Sequence, residues 1–170
     1  MPSGAPVFFF IEKRMAKYDV EPVTVDSKAI MAKFDELGAT QPEVKKSLKS
    51  AIRQALNIVF RSVKQGAATV TSNPEKINKG VNLKIYKNGS GGQVNIYRPF
   101  YLSDGKVFKL QWLEQGTKEG IGRDRRKHGA TPAKPFFKSA VSTSIDRAES
   151  VLSDKILSAI EKIASKRNKS

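Results

Sequence analysis

Cysteine is absent from this 170-residue sequence, and histidine occurs once, at His128. Without cysteine there is no disulfide framework, no thiolate metal site and no cysteine nucleophile, and a single histidine removes most imidazole-based metal constellations. Acidic residues are few beside basic ones, 16 Asp and Glu against 31 Lys and Arg, which leaves a formal net charge of +15 and a sequence pI near 10.1. No apolar run approaches the roughly 20 residues that a bilayer-spanning helix needs, so no membrane insertion is expected. Aromatic residues make up 8%, Trp112 is the lone tryptophan, and no RRM, zinc-finger or OB signature accompanies the charge. The charge therefore speaks of partners and not of fold: nucleic acid, anionic lipid and acidic protein surfaces would all be attracted.

What remains is the composition of an ordinary folded domain, 39% hydrophobic and 28% charged, with enough chain to bury a core without metals or disulfides. The apolar run from Ala5 to Ile11 has no basic residue ahead of it, and Glu12, Lys13 and Arg14 follow where small residues would mark a signal cleavage site. Residues 1–14 are read as an extension upstream of a second start at Met15. A single domain is expected over 15–165, with a basic tail at 166–170.

Val20 to Val25 is extended in character, and Asp26 offers an N-cap to a short helix carrying Ile30, Phe34 and Leu37 on one face and ending at Gly38. Val25 and Ile30 suit a hydrophobic staple across that start. Thr40 with Glu43 forms a capping-box pattern, and Pro42 fits the first turn of a long helix in which Val44, Leu48, Ile52, Ala55, Val59 and Val63 recur every three or four residues. Lys45, Lys46, Lys49, Arg53 and Lys64 lie off that stripe. They are a candidate phosphate-facing surface, but without interleaved aromatics the plainer reading, a solvated helix face, is preferred. Gly66 to Gly80 reads as helix end and loop. Val81, Leu83 and Ile85 alternate with polar neighbours, as do Val94 and Ile96 beyond the glycine-rich turn at 88–92, which predicts a hairpin.

A third extended stretch is expected from Lys106 to Gln115, through Phe108, Leu110 and Trp112. Lys118 to Pro135 reads as a loop, of a length that is usually functional or mobile. From Phe136 a second long helix carries Phe137, Val141, Ile145, Ala148, Leu152, Ile156, Ile160 and Ile163 on one stripe. The expected class is α+β: a small, mainly antiparallel sheet of three to four strands packed by two long helices and one short helix.

Familiar reactive motifs are missing. The glycines at 89, 91 and 92 lack the Gly-Lys-Ser/Thr and the following helix of a phosphate loop. Gly89-Ser90-Gly91-Gly92 has the bare GXXG form of a KH domain but joins two strands instead of two helices, and Asn88-Gly89-Ser90 has the form of a glycosylation sequon, which signifies only in a secretory setting. Asp104 and Glu114 flank the third extended stretch, yet with no nucleophile, metal ligands or cofactor fingerprint nearby they are read as scattered surface acids and not as an acid/base pair. His128, among Arg125, Arg126 and Lys127, is read as solvated loop. No catalytic, cofactor-binding or metal site is expected, and no small-molecule substrate.

Two blocks are more informative: Leu110-Gln111-Trp112-Leu113-Glu114-Gln115-Gly116-Thr117, and Thr131-Pro132-Ala133-Lys134-Pro135-Phe136-Phe137-Lys138 beyond a basic insert. Together they resemble small tailed-bacteriophage proteins of the gene-product-ten-like tail-component family, in which an aromatic, apolar strand ends in Glu-x-Gly-Thr and a loop leads to Pro-Ala-(Arg/Lys)-Pro-Phe at the start of the last helix. Trp112 stands in the aromatic stretch and Glu114, Gly116 and Thr117 match its end. Pro132, Ala133, Lys134, Pro135 and Phe136 match the second block. The likeness extends at lower specificity over roughly residues 20–166. It departs from the family where Thr-Gly-x-Leu-(Arg/Lys)-x-Ser before the hairpin is reduced to Lys79-Gly80-Val81-Asn82-Leu83-Lys84, and where the insert is longer and more basic.

The resemblance implies a non-enzymatic virion protein that completes the tail or joins head to tail, made in the host cytoplasm and placed in the neck or tail top. Its implied partners are other neck and tail proteins, further copies of itself in a ring, and packaged DNA. Within the blocks, Gly116 suits a turn, Thr117 can bridge that turn with its hydroxyl, and the two prolines preset the entry to the last helix. Residues 118–138 hold seven Lys and Arg against two Asp and Glu, a net +5. Lys118, Arg123, Arg125, Arg126 and Lys127 are the candidate assembly or DNA contacts. The alternative, resting on charge alone, is a basic nucleic-acid-binding accessory protein.

Overall fold

A computed structural model of the chain describes residues 23–26, 32, 41–89, 91–121 and 127–167. The class is α+β. Its largest internal interface is between two long helices, α1 (Gln41–Val70) and α4 (Phe136–Arg167). Val44, Leu48, Ile52, Ala55, Val59 and Val63 are all buried, and they are joined in the core by Leu56 and Ala67 from the same helix and by Phe137, Ala148, Leu152, Ile156 and Ile163 from α4. Burial of side chains of this size contributes about 1.5–3 kcal/mol each for the larger ones, which is what holds two helices of some 45 Å together. They run antiparallel. Lys166 pairs with Glu43 at 3.2 Å at one end, and at the other the Ser62 hydroxyl donates to the carbonyl of Ala140 at 2.9 Å.

Three antiparallel strands form the main sheet: β1 (Val23–Asp26), β2 (Asn82–Ile85) and β3 (Gly91–Asn95), in the order β1-β3-β2. Val94 of the middle strand stands opposite Val23 on one side and Leu83 on the other. The sheet lies close on α1 because residue 92 is glycine: a Cβ there would come within 2.7 Å of Leu56 Cδ1 and 2.8 Å of the Lys84 carbonyl. The β2–β3 turn is closed by Tyr86 N–H on the Gly91 carbonyl at 2.9 Å, as the glycine-rich sequence predicts for a hairpin. A second ribbon pairs β4 (Phe100–Tyr101) with β5 (Val107–Phe108).

Four expectations are corrected. The segment 66–80 is helical for most of its length: α1 runs on to Val70, and a separate helix, α2 (Pro74–Gly80), follows after three residues. The Thr-Ser-Asn-Pro composition that suggests a loop is instead a helix start, with Asn73 Oδ1 accepting the N–H groups of Glu75 (2.9 Å) and Lys76 (3.3 Å) and Pro74 in the first turn. The third extended stretch is a strand only at Val107–Phe108; from Gln111 to Gln115 it is helix α3. The loop from Lys118 to Pro135 contains a small antiparallel ladder, β6 (Gly120–Ile121) with β7 (Lys127–His128). Finally, Lys166 and Arg167, expected in a tail, belong to α4.

Ala32 is helical. The rest of the short helix expected between Asp26 and Gly38, the staple at Ile30, the cap at Thr40 and the extension over residues 1–14 lie outside the described residues. Asp26 itself closes β1.

Candidate functional site

Helix α3 turns the first of the two sequence blocks into a bonding centre. Leu110, fully buried, precedes it, and the N–H of Gln111 donates to the carbonyl of Ile96 at 3.2 Å, fixing the helix to the end of the hairpin. Leu110, Leu113 and Glu114 share a face by their spacing of three and four, whereas the alternation through Phe108, Leu110 and Trp112 suggests a strand. Trp112 packs edge-on against Phe108 (centroids 5.6 Å apart), which in turn packs on Phe100 (5.8 Å). Gln111 and Glu114 are buried.

Glu114 has a definite task. Helix α4 has no acidic residue in its first turn, and its first N–H groups have no partner inside the helix. The Glu114 carboxylate supplies both partners from outside, accepting the N–H of Phe137 at 2.7 Å and of Lys138 at 3.1 Å. It also places negative charge at the positive end of a 32-residue helix. The reading of Glu114 as a surface acid is therefore corrected: it is 7% exposed and capped onto the helix that follows it by more than twenty residues. Asp104, its imagined counterpart, is an exposed turn residue. Its carboxylate accepts the N–H of Lys106 at 3.1 Å and pairs with the Lys106 ammonium at 2.9 Å, which holds its pKa below the ordinary range.

The bonds continue along the block. Gly116 ends α3 with φ 73° and ψ 174°, a conformation reserved to glycine, and a Cβ there would meet the Thr131 carbonyl at 2.6 Å and the Ala133 nitrogen at 2.8 Å. Thr117 and Thr131 exchange backbone hydrogen bonds in both directions (2.8 and 3.0 Å), and the Thr117 hydroxyl accepts a further bond from Thr131 N–H at 3.1 Å. Lys134 N–H donates to the Leu113 carbonyl at 2.8 Å. Pro132, Ala133, Lys134 and Pro135 are themselves exposed, while Phe136 and Phe137 are buried. The two blocks, fourteen residues apart at their threonines, thus close into one junction.

Between the two blocks, β6 pairs with β7, Gly120 opposite His128 and Ile121 opposite Lys127. Lys118 is exposed, and Lys127 and His128 lie in β7. Arg123, Arg125 and Arg126 lie outside the described residues. Beside the junction a groove of about 520 Å³ runs between α1 and α4, lined by Ser62, Gln65, Thr69, Ser139, Thr143 and Lys134 among others. Among the described residues no group of three His, Asp or Glu is placed to hold a metal ion, and no helix is long and apolar enough to cross a membrane. Of the off-stripe cations on α1, Lys64 is engaged: it donates to Asn78 Oδ1 at 3.1 Å and lies over the Phe60 ring at 4.8 Å.

Comparison of the chain with protein-family models, with curated proteins and with solved structures finds no match. The junction and the charge distribution are what bear on function.

Proposed function

We propose that this chain is a structural protein of a tailed-phage particle, acting in tail completion or head–tail joining by binding in the neck, with no turnover. The supporting observation is the convergence of the resemblance-bearing residues: Glu114, Gly116 and Thr117 meet residues 131–138 in a single bonded junction at the two ends of the basic segment. A strongly basic segment anchored at both ends is suited to meet a neighbouring subunit or an acidic ring. Its partners in this reading are other neck and tail proteins and further copies of the chain, arranged head to tail so that the contacts close into a ring. In finer architecture, we take the domain as one sheet of three to four strands packed by the two long helices, with the short helix after Asp26 completing it. The protein would be made in the host cytoplasm and end in the virion.

A second reading, a basic nucleic-acid-binding accessory protein, is favoured by the net charge of +15. Deleting the gene from its phage separates the two. The neck reading expects heads and tails that are made but unjoined or non-infectious in electron micrographs of the lysate. Normal infectious particles, or the loss of heads and tails together, would remove it.

A further inference from the structure

The antiparallel helix pair carries a groove at each end, and the two differ in charge. The groove beside the junction has Lys134 as its one charged lining residue. The groove at the opposite end, about 430 Å³ between the start of α1 and the last turns of α4, is lined by Lys46, Lys155, Lys162 and Lys166 against Glu43, a net +3 from four minus one. The spacing in sequence builds this wall: 155, 162 and 166 recur at whole turns of α4, beside the buried Ile156 and Ile163. The acids of the same stretch, Asp154 and Glu161, are not among the lining residues. Lys166 and Glu43 pair across the end of the groove. Lys46, Lys155 and Lys162 are exposed and form no ion pair among the described residues.

Three ammonium groups that form no ion pair among the described residues line one channel, together with Ser47 and Ser158. Lys155 and Lys162 are about 10 Å apart along the helix axis, at 1.5 Å per residue. An extended polyanion fits such a row better than a single small anion, because each ammonium can meet a separate charge along it. We propose that this groove binds the phosphodiester backbone of duplex DNA, with Lys46 on one wall and Lys155 and Lys162 on the other each engaging a phosphate. Ser47 and Ser158 donate hydroxyl hydrogen bonds to phosphate oxygens. The contacts are to backbone alone, so binding is independent of base sequence. The site lies at the opposite end of the helix pair from the junction and stands whether or not the chain works in a phage neck.

The test is fluorescence anisotropy of the full chain with a labelled DNA duplex over a salt series. Each phosphate contact contributes about 0.9 to the slope of log K against log salt. The combined Lys46→Gln, Lys155→Gln and Lys162→Gln variant should lose about 2.7 from that slope, three contacts at about 0.9 each. A charge-matched control, Lys84→Gln, Lys87→Gln and Lys106→Gln, alters three exposed lysines elsewhere and should keep the wild-type slope. Ser158→Glu, a single exposed change, should also weaken binding. Equal losses in the two triple variants would overturn the proposal, as would an unmodified chain that does not bind DNA at about 0.05 M salt. Displacement of DNA by millimolar inorganic phosphate at constant ionic strength would overturn it too, since that is the behaviour of a single-anion site.

Discussion

Glu114 and Lys118 are four residues apart, and the chain uses them in opposite ways. Glu114 is buried, with its carboxylate bonded to two helix N–H groups, and the residues around it are bonded to one another from Leu113 to Lys138. Lys118 is exposed, and it opens a segment rich in Lys and Arg. The difference separates two properties that a sequence motif merges. The residues by which the blocks are recognised hold the fold, and whatever is bound must be met by the charged residues that the fold displays. The same separation runs along the helix pair, whose apolar stripe is spent on packing while its lysines line a groove at one end.

If the junction is a fold element, its most constrained residue should give the largest effect. Gly116→Ala forces a side chain onto φ 73° with its Cβ against two backbone atoms of the returning segment, and backbone atoms cannot move aside as a flexible side chain would. A destabilisation of about 2–4 kcal/mol is expected, from about 1–3 kcal/mol of backbone strain plus the clash. Urea denaturation followed by circular dichroism measures it. A change below about 0.5 kcal/mol would mean that the segment 131–133 is free to shift, and that the two blocks are not rigidly joined.

Glu114→Ala should come next, at about 2–3 kcal/mol, because it removes charged hydrogen bonds from a buried site. Glu114→Gln keeps one acceptor oxygen and should lose roughly half as much. The discriminating measurement is hydrogen exchange at the amides of Phe137 and Lys138, which should accelerate in the Ala variant more than amides at the middle of α4. Uniform acceleration would place the effect in global stability and not in the cap.

These two residues also show what the sequence made legible. The α+β class, the two long helices and the β2–β3 hairpin follow from periodicity and glycine placement, since long amphipathic stripes and a glycine-rich turn are local signals. Glu114 illustrates the opposite case: its partners are more than twenty residues away, and nothing local marks a buried carboxylate that caps a distant helix. Helix α3 was hidden because five residues supply little more than one helical turn, too short to tell a period of 3.6 from one of 2. Helix α2 had a readable signal in Asn73-Pro74, an N-cap followed by proline, which the surrounding turn-forming composition obscured. The lysine groove needs two helices brought together antiparallel, a relation that neither helix carries in its own sequence.

Charge in the bracketed segment should sharpen the comparison from the other side. Replacing Arg123, Arg125, Arg126 and Lys127 together by Ser removes four charges from positions that fit no core pattern. The melting temperature should move by no more than about 2 °C, within the range of surface substitutions. In the neck reading, incorporation into particles should fall while folding is unaffected, as measured by immunoblot of purified virions. Normal incorporation would leave the segment as solvated surface and transfer the assembly contacts elsewhere.

The smallest effect is expected where a carboxylate makes a junction like that of Glu114 but is less buried. Glu75 in α2 accepts the Lys79 ammonium at 2.8 Å and the Ser103 hydroxyl at 3.0 Å, and Lys79 also donates to the Tyr101 carbonyl at 2.9 Å, so the pair ties α2 to the β4–β5 ribbon. Lys79 first, and then Ser103, holds the Glu75 pKa below its ordinary value. A depressed carboxylate pKa adds stability that is fully present above the ordinary Glu value and is lost as pH falls through the depressed one. Because the Glu75 side chain is a quarter exposed and that of Lys79 nearly half exposed, water and salt screen the interaction, and the loss should barely register in the melting temperature at pH 7. The titration itself should register it: in Lys79→Met the Glu75 carboxyl resonance should titrate closer to the ordinary Glu range, with the melting temperature within about 2 °C of wild type. If that variant instead destabilised the fold as much as Glu114→Ala, the number of bonds made by a carboxylate would matter more than its burial, and the contrast between the two junctions would fail.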